Sequence, residues 1–346
     1  MKSLSPYAYA AILIIMRLFA LSMYSPNQTE NPAITAVVTI IFSFFKLLTL
    51  IPVIIFFKRN GEQGLSLAPL YKLSSALFLL FSSLLLLSSA NSFSQMISSL
   101  YPDRFAKISI AATIIFIAAY IASMGLNGIG RACTILSVLF SAFLLFIFVE
   151  TKSAMLNDRI NLYSDDLQSE LINTTANISS YLLDYLAFFG LLPYLKNSIA
   201  KAAGLYITAD CLISILFFLM SASVMGDFWN DSNYSFFTLS FASQGSIIDR
   251  SDALALVISG GSALVTFSIL LTIAKDSVKS IFKIKSENLV LASIAAMLTI
   301  ILIFTIVYKY EIENALLIIS IISASILFIF SIFLLFSKRK RGESKL

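Results

Sequence analysis

The sequence predicts an all-α integral membrane protein with ten transmembrane helices. Hydrophobic residues make up 58% of the 346 residues, and the mean hydropathy is +0.90. A membrane-spanning helix needs about 20 mostly apolar residues. Ten segments meet this requirement, at residues 7–25, 33–57, 72–99, 107–124, 128–149, 177–195, 203–225, 252–274, 289–308 and 314–336. We therefore expect a single transmembrane domain over residues 1–346, with a short basic tail at 338–346.

The distribution of Lys and Arg predicts the orientation of these spans. With a cytoplasmic N-terminus, most basic residues fall in inside segments, including the tail cluster at 338–341. An excess of Lys and Arg marks the cytoplasmic side, so both termini are expected to face the cytoplasm. The net charge of +5 then needs no nucleic-acid partner, because the basic tail can contact anionic lipid headgroups of the bilayer.

The absence of certain residue types and motifs argues against several functions. There is no histidine, the side chain most used as a base, proton relay or metal ligand. Cys133 and Cys211 fall inside apolar spans and are interpreted as small packing residues. No glycine-rich phosphate loop or nucleophile elbow is present. The sequence therefore predicts no enzyme, no metal site and no cofactor.

The spans divide into two halves of five. A long polar stretch at residues 151–176 separates a first repeat at about 6–150 from a second at about 177–337. An odd number of spans per half inverts the second half relative to the first. A 5+5 inverted repeat is common in secondary transporters, whose binding sites lie where interrupted helices meet near the middle of the membrane.

Four ionisable residues are predicted to lie well inside spans: Arg17, Lys46, Asp184 and Asp210. A charge at the bilayer centre costs about 2.5–3.5 kcal/mol on insertion scales, and such residues usually face a bundle interior or cavity. Two cations fall on the first two spans of one half and two carboxylates on the first two spans of the other. We therefore predict the pairs Arg17–Asp184 and Lys46–Asp210, with Asp184 and Arg17 lining a polar cavity. Alternatively, Lys46 reaches an interface and the pairs only hold helices together.

Helix-breaking residues occur in the first and sixth spans. The first ends before Pro26, and residues that precede a proline are disfavoured in helices. The sixth contains Gly190 and Pro193, and a proline inside a helix removes a backbone hydrogen bond. Freed backbone groups at such breaks can bind the charged ends of a small zwitterion. The predicted ligand-binding residues lie near these breaks, apart from one in the third span: Ser22, Met23, Tyr24, Ser179, Ser180, Asp184 and Asn91. Asn91 is the residue of the third span, and close helix packing would equally explain its presence there.

Several short motifs resemble those of one family. Residues 125–131 (Gly-Leu-Asn-Gly-Ile-Gly-Arg) resemble the Gly-Leu/Ile-Glu-x-Ile-Ala-Arg signature of spore germination receptor B subunits, the GerAB-type proteins. Residues 248–254 resemble that family's Glu-Arg-Leu-Asp-Ala-Leu segment, and residues 161–163 its Asn-Leu-Leu-Pro segment. The spacing from Asp184 to Pro193 resembles its Glu-to-Leu-Pro spacing. The residues that match the family motifs are Gly125, Arg131, Arg250 and Asp252, whereas Asn127 stands where the family has Glu.

The resemblance implies an amino acid–polyamine–organocation (APC) transporter fold, LeuT-like, with broken helices 1 and 6. It also implies a nutrient-sensing subunit of the spore inner membrane that acts with a receptor A subunit and a lipoprotein C subunit. In such a fold the first, second, sixth and seventh spans form one bundle. The expected ligand is a small nutrient, most simply an amino acid. An amino-acid permease of the same fold and a scaffolding subunit without a ligand remain alternatives.

The family-motif residues also have simple physical interpretations. Arg131 is expected at the cytoplasmic start of the fifth span, as a topology anchor or a gate. Asp252 is expected at the start of the eighth span, where a carboxylate suits a helix N-terminus both as a cap and against the helix dipole.

Overall fold

The protein is helical throughout the part of the chain that its computed structural model describes. Those residues are 4–26, 30–60, 68–101, 106–156, 160, 167–180, 183–195, 198–229, 231–243, 251–282, 284, 286–308, 322, 325, 326 and 329, without the side chains of 56–74, 176, 179, 180 and 227. The predicted tenth span at 314–336 and the basic tail at 338–346 lie almost entirely outside them.

Eleven α-helices are described, with short 3-10 turns at Lys152–Ala154, Leu192–Tyr194 and Gly226–Trp229. The helices are α1 (Pro6–Ser22), α2 (Pro32–Asn60), α3 (Ala68–Leu100), α4 (Lys107–Ser123), α5 (Leu126–Thr151), α6 (Leu167–Ser180), α7 (Leu183–Leu191), α8 (Ile199–Met225), α9 (Ser235–Ala242), α10 (Ser251–Phe282) and α11 (Glu287–Val307).

Within the described residues, six helices are long and apolar enough to cross a membrane. They lie in α2, α3, α5, α8, α10 and α11. Three shorter apolar helices, α1, α4 and α7 with its following 3-10 turn, correspond to the predicted first, fourth and sixth spans. The count of ten spans and the inverted repeat therefore stay predictions, whereas a multi-pass helical membrane protein is confirmed.

Helix α1 lies at the centre of the molecule. It packs against α5, α7, α8 and α10, and its residues from Tyr9 to Ser22 are buried except Ile14. A helix that is apolar all round belongs in such an interior. By contrast, α2 leaves one apolar side exposed, including Ile41 at 59% and Phe44 at 60%. That side suits contact with lipid.

Local sequence explains the ends of α1. The Ser5 side chain accepts a hydrogen bond from the Ala8 amide at 3.2 Å, and Pro6 occupies the first helical turn. Ser and Pro are favoured at these two positions. The helix is continuous to Ser22, so the break predicted for the first span lies at its end and not within it. Its 17 residues extend about 26 Å.

The sixth predicted span, at 177–195, contains the end of α6, the whole of α7 and a 3-10 turn, and the rest of α6 lies in the stretch predicted as a polar connection. Helix α6 ends at Ser180, α7 begins at Leu183, and the turn Leu192–Tyr194 carries Pro193. Proline lacks the N–H that a continuing α-helix needs, which accounts for the change at Leu192. Asp184 consequently lies in the first turn of α7.

Candidate functional site: a buried charge network

Lys46 of α2 connects two carboxylates that come from different helices. Its Nζ lies 2.8 Å from Asp184 Oδ2 on α7 and 3.0 Å from Asp210 Oδ2 on α8. These distances are short enough for charge-assisted hydrogen bonds. The ammonium group is therefore held between the second, sixth and seventh predicted spans.

Arg17 of α1 completes the network through Asp210. Its Nε lies 2.8 Å from Asp210 Oδ1 and donates a hydrogen bond to Ser214 Oγ at 3.1 Å. Asp210 thus contacts both cations, one on each carboxylate oxygen. Because α1, α2, α7 and α8 each contribute one charged group, the network joins all four helices.

The network is almost completely shielded and its formal charges balance. The four charged side chains are at most 4% exposed. Two cations meet two carboxylates, so no net formal charge is buried. Removing one partner of a buried ion pair usually costs about 3–5 kcal/mol because it strands the other charge. These four residues consequently depend on one another.

Asp184 has one saturated oxygen and one that lacks a donor. Tyr206 of α8 donates its hydroxyl hydrogen bond to Asp184 Oδ2, the oxygen that also contacts Lys46. Asp184 Oδ1 is buried and has no hydrogen-bond partner in the described part of the chain. A buried acceptor without a donor is costly. This oxygen is the strongest candidate in the network for contact with a bound cationic group.

The structure corrects part of the predicted pairing. The Lys46–Asp210 contact is present, but Arg17 forms its ion pair with Asp210 and not with Asp184. The reason is helix packing, because α1 and α2 both pack against α8, which brings both cations to Asp210. Lys46 is 3% exposed, so it does not extend to an interface.

The predicted residues at the end of α1 are buried beside a second polar cluster. Ser22 Oγ donates to the Phe19 carbonyl at 2.8 Å, and Met23 is also buried. Tyr24 donates to Glu30 Oε2 at 2.6 Å, and Asn177 Nδ2 of α6 donates to Glu30 Oε1 at 2.8 Å. This cluster of Tyr24, Glu30 and Asn177 ties the end of α1 to α6.

Aromatic rings surround Tyr24 and the middle of α1. The Tyr24 ring lies 5.1 Å from that of Phe218 and 5.9 Å from that of Trp229. Phe19 lies 6.1 Å from Phe93 of α3 and 5.5 Å from Phe267 of α10, measured between ring centroids. These contacts pack the part of the chain that follows Arg17 tightly against its neighbours.

The remaining predicted ligand residues are not brought into this cluster. Asn91 lies on α3 and is 8% exposed, and its side chain has no hydrogen bond to the network within the described residues. The side chains of Ser179 and Ser180 lie outside the described part of the chain. Glu30, Tyr206 and Ser214 also belong to these polar clusters, although they are not among the residues predicted from the sequence. Tyr206 and Ser214 lie four residues before and after Asp210 in α8, so helical spacing, which places such residues on one side of a helix, was the signal that could have found them.

The family-motif residues lie apart from the charge network. Gly125 and Arg131 line a cavity of about 470 Å³ at the start of α5, together with Tyr194 and residues of α10 and α11. Asp252 lies in the first turn of α10, as expected, and Arg250 is outside the described residues. Among the residues that are described, no group of three His, Cys, Asp or Glu side chains could hold a metal ion.

Charged residues inside the spans of a helical membrane protein usually face the bundle interior, pair with one another and mark a substrate or ion pathway. The solved structure of Mhp1, a nucleobase-cation-symport-1 family transporter in a closed conformation with bromovinylhydantoin bound, is similar to this chain with a TM-score of 0.58. The similarity covers 92% of this chain and 75% of Mhp1 at 14% sequence identity. It confirms the predicted APC-type, LeuT-like transporter fold, and at this identity it concerns the fold alone.

A comparison of the sequence with protein families identifies the family of this chain. Residues 68–311 match the family model described as spore germination protein, and the chain belongs to this family. The predicted resemblance to spore germination proteins is thereby confirmed. No curated protein sequence matches the chain. Family and fold are those of permeases and transporters rather than enzymes.

Proposed function

We propose that the chain is the nutrient-sensing subunit of a spore germination receptor, and that its ligand is an amino acid bound between the end of α1 and the start of α7. The binding residues would be those predicted from the sequence, centred on Asp184 and Tyr24. The observation that carries the proposal is the Asp184 Oδ1 atom, which has neither a hydrogen-bond donor nor an ion pair among the described residues, whereas Asp210 Oδ1, also without a hydrogen-bond donor, still contacts Arg17.

An ammonium group is the chemical partner that this oxygen favours. Asp184 Oδ2 already accepts from Lys46 and Tyr206, so a further donor has to approach Oδ1. A cationic donor there adds a charge-assisted hydrogen bond, which is stronger than a neutral one. A free amino acid supplies such a donor, and its carboxylate can be bound by the first-turn amides of α7, because a helix N-terminus favours an anion whereas the carbonyl end of α1 favours the ammonium group.

Binding of a cationic group at Asp184 would change the helix bundle because the charges of the network already balance. A second cation at Asp184 competes with Lys46, whose ammonium can then move fully to Asp210. This exchange weakens the link between α2 and α7 while the link between α2 and α8 remains. A ligand that binds one arrangement better shifts the protein toward it, and such coupling can be passed to partner subunits.

In this proposal the partners are a receptor A subunit and a lipoprotein C subunit in the spore inner membrane. The protein would sit there with both termini on the cytoplasmic side. The cluster of Tyr24, Glu30 and Asn177 is expected to close the ligand site on the side opposite the cytoplasm, because it joins the end of α1 to α6, the helix before α7.

Germination of a deletion strain tests the proposal. Spores that carry the wild-type chain, Asp184→Asn or Tyr24→Phe are exposed to a panel of amino acids, sugars and nucleosides, and protein levels are measured in each strain. We expect the wild type to restore the response to at least one amino acid, and Asp184→Asn to lose that response by more than any fall in its protein level explains. Asp231→Asn, an exposed carboxylate in a loop, is the matched control and should respond normally.

The result that refutes the proposal is an unaltered nutrient response in Asp184→Asn spores whose protein level is also unaltered. Restoration of a response only to sugars or nucleosides would refute the choice of an amino acid.

An amino-acid permease of the same fold is the second candidate, favoured by the similarity to a solved transporter. The two functions differ in whether solute crosses the membrane. Uptake of a labelled amino acid by the purified chain in liposomes would establish the permease, whereas binding without uptake is expected of the sensing subunit.

A further inference from the structure

A cavity with an excess of positive charge is lined by residues that do not belong to the charge network. It has a volume of about 470 Å³ and lies between the start of α5, the later part of α10, the start of α11 and the 3-10 turn after α7. Three cationic side chains line it, Arg131, Lys275 and Lys279, against the two carboxylates Asp276 and Glu287.

Both carboxylates are already engaged by neighbours. Lys279 forms an ion pair with Glu287, and Lys275 Nζ lies 3.6 Å from Glu287 Oε2 and 3.8 Å from Asp276 Oδ1. Tyr194 donates its hydroxyl hydrogen bond to Asp276. Arg131 has no ion pair or hydrogen bond from its side chain to any described residue, although it faces the same cavity. The uncompensated charge of the cavity is therefore the Arg131 guanidinium.

The start of α5 leaves open space beside Arg131. A Cβ atom added at Gly125 or Gly128 would meet no atom within 4 Å. Gly128 lies one helical turn before Arg131 and on the same side of α5. Gly125 has a φ of 88°, a conformation that other residues rarely adopt. The two glycines thus leave room for a bound group next to the guanidinium.

Backbone donors add to the positive character of this space. Gly125 provides no side-chain cap for α5, and the amides of Leu126 and Asn127 have no acceptor among the described residues. Uncapped amides in the first turn carry the positive end of the helix dipole. Arg131, which is exposed, Lys275 and these amides consequently present donors from two sides of one partly open cavity.

We propose that this cavity binds a phosphate group. A tetrahedral phosphate offers several acceptor oxygens, so it can bind the planar guanidinium and the first-turn amides at the same time. The phosphate belongs either to a free small anion or to the headgroup of an anionic lipid, because both reach the end of a membrane helix. The binding is independent of the nutrient site, since none of its residues belongs to the charge network.

Binding is measured on the purified full-length chain with two probes. The first is inorganic phosphate, titrated calorimetrically in detergent with chloride of equal ionic strength as reference. The second is phosphatidylglycerol, supplied in phosphatidylcholine nanodiscs with and without this lipid, where the melting temperature is recorded. The variants are Arg131→Gln, Asn127→Glu, which places a competing carboxylate at the start of α5, and Asn127→Gln as its neutral counterpart. Lys107→Gln, which removes one positive charge at the start of α4, is the matched charge control.

We expect Arg131→Gln to weaken binding roughly tenfold or more, the effect of losing one charged hydrogen bond. Asn127→Glu should weaken it similarly, whereas Asn127→Gln and Lys107→Gln should not. Binding of inorganic phosphate with this pattern identifies a free anion as the source, and stabilisation only by phosphatidylglycerol identifies a lipid. Binding of neither probe, or an equal loss in Lys107→Gln, would overturn the proposal. Asn127→Glu keeps the test decisive if Arg131→Gln does not fold.

Discussion

Replacing Lys46 by Met tests whether the buried network stabilises the fold through charge balance. Met has a similar length and no charge, so the substitution removes the ammonium and leaves the apolar stem nearly unchanged. In the wild type that ammonium contacts Asp184 and Asp210 at 2.8 and 3.0 Å. After the change, two carboxylates share the single cation Arg17, and both are at most 1% exposed, so water compensates them poorly in this conformation.

The expected loss in the free energy of unfolding is about 3–5 kcal/mol, the cost of removing one partner from a buried ion pair. A second substitution should recover much of it. In the double variant Lys46→Met with Asp184→Asn, the charged groups left are Arg17 and Asp210, which balance. The double variant is therefore expected to be more stable than Lys46→Met alone, with a coupling energy of up to about 3 kcal/mol.

The assay is reversible unfolding of the purified chain in mixed micelles with a rising fraction of sodium dodecyl sulfate. Lys201→Met is the matched control, because Lys201 is exposed and its Nζ lies 4.4 Å from the centre of the Tyr7 ring. We expect that control to cost no more than about 1 kcal/mol. A loss under about 1 kcal/mol for Lys46→Met, or a double variant no more stable than the single one, would contradict the reasoning.

Three further substitutions have defined outcomes. Gly190→Ala should lower the melting temperature, because its Cβ would meet Ile273 Cδ1 at 2.8 Å and Cγ1 at 3.0 Å, and overpacking costs about 1–3 kcal/mol. The control Gly204→Ala, with no atom within 4 Å, should be neutral or stabilising. Tyr206→Phe removes a donor to Asp184 without changing charge, so unfolding measurements should give a loss of about 1.5–3 kcal/mol. Tyr24→Phe should raise the amino-acid concentration needed for germination, since it frees Glu30 from one donor.

The fold was predictable because each span leaves a strong local signal. Membrane helices are long apolar runs, and the start of α1 at Pro6 and the turn at Pro193 follow from the chemistry of proline. The residue at which a spanning helix ends is harder to predict from the sequence. Helix α1 ends at Ser22 without any interruption within it, because the residues that disfavour a helix lie only after that point.

The charged residues of the site were predictable, but their partners were not. Arg17, Lys46, Asp184 and Asp210 stand out because an isolated charge in an apolar span has to be compensated. Which carboxylate each cation meets depends on the rotation and crossing of packed helices, which composition does not encode. Arg17 therefore contacts Asp210 where the order of the spans predicted Asp184.

Buried polar residues outside the spans gave even less signal. Glu30 precedes α2 in a polar stretch, where a carboxylate would ordinarily be taken as solvated. In the structure it is 2% exposed and accepts hydrogen bonds from Tyr24 and Asn177. Only the folding of α6 against the end of α1 makes it part of the interior.

The most direct test of the proposed role of Asp184 is a comparison of two ligands on the purified chain. One ligand is the amino acid that restores germination, and the other is the same molecule without its amino group. We predict that calorimetry gives roughly 10- to 150-fold tighter binding of the amino acid, the range for one charged hydrogen bond. Asp184→Asn should remove most of that preference. Equal affinity for both ligands in the wild-type chain, or the same preference in Asp184→Asn, would contradict the account.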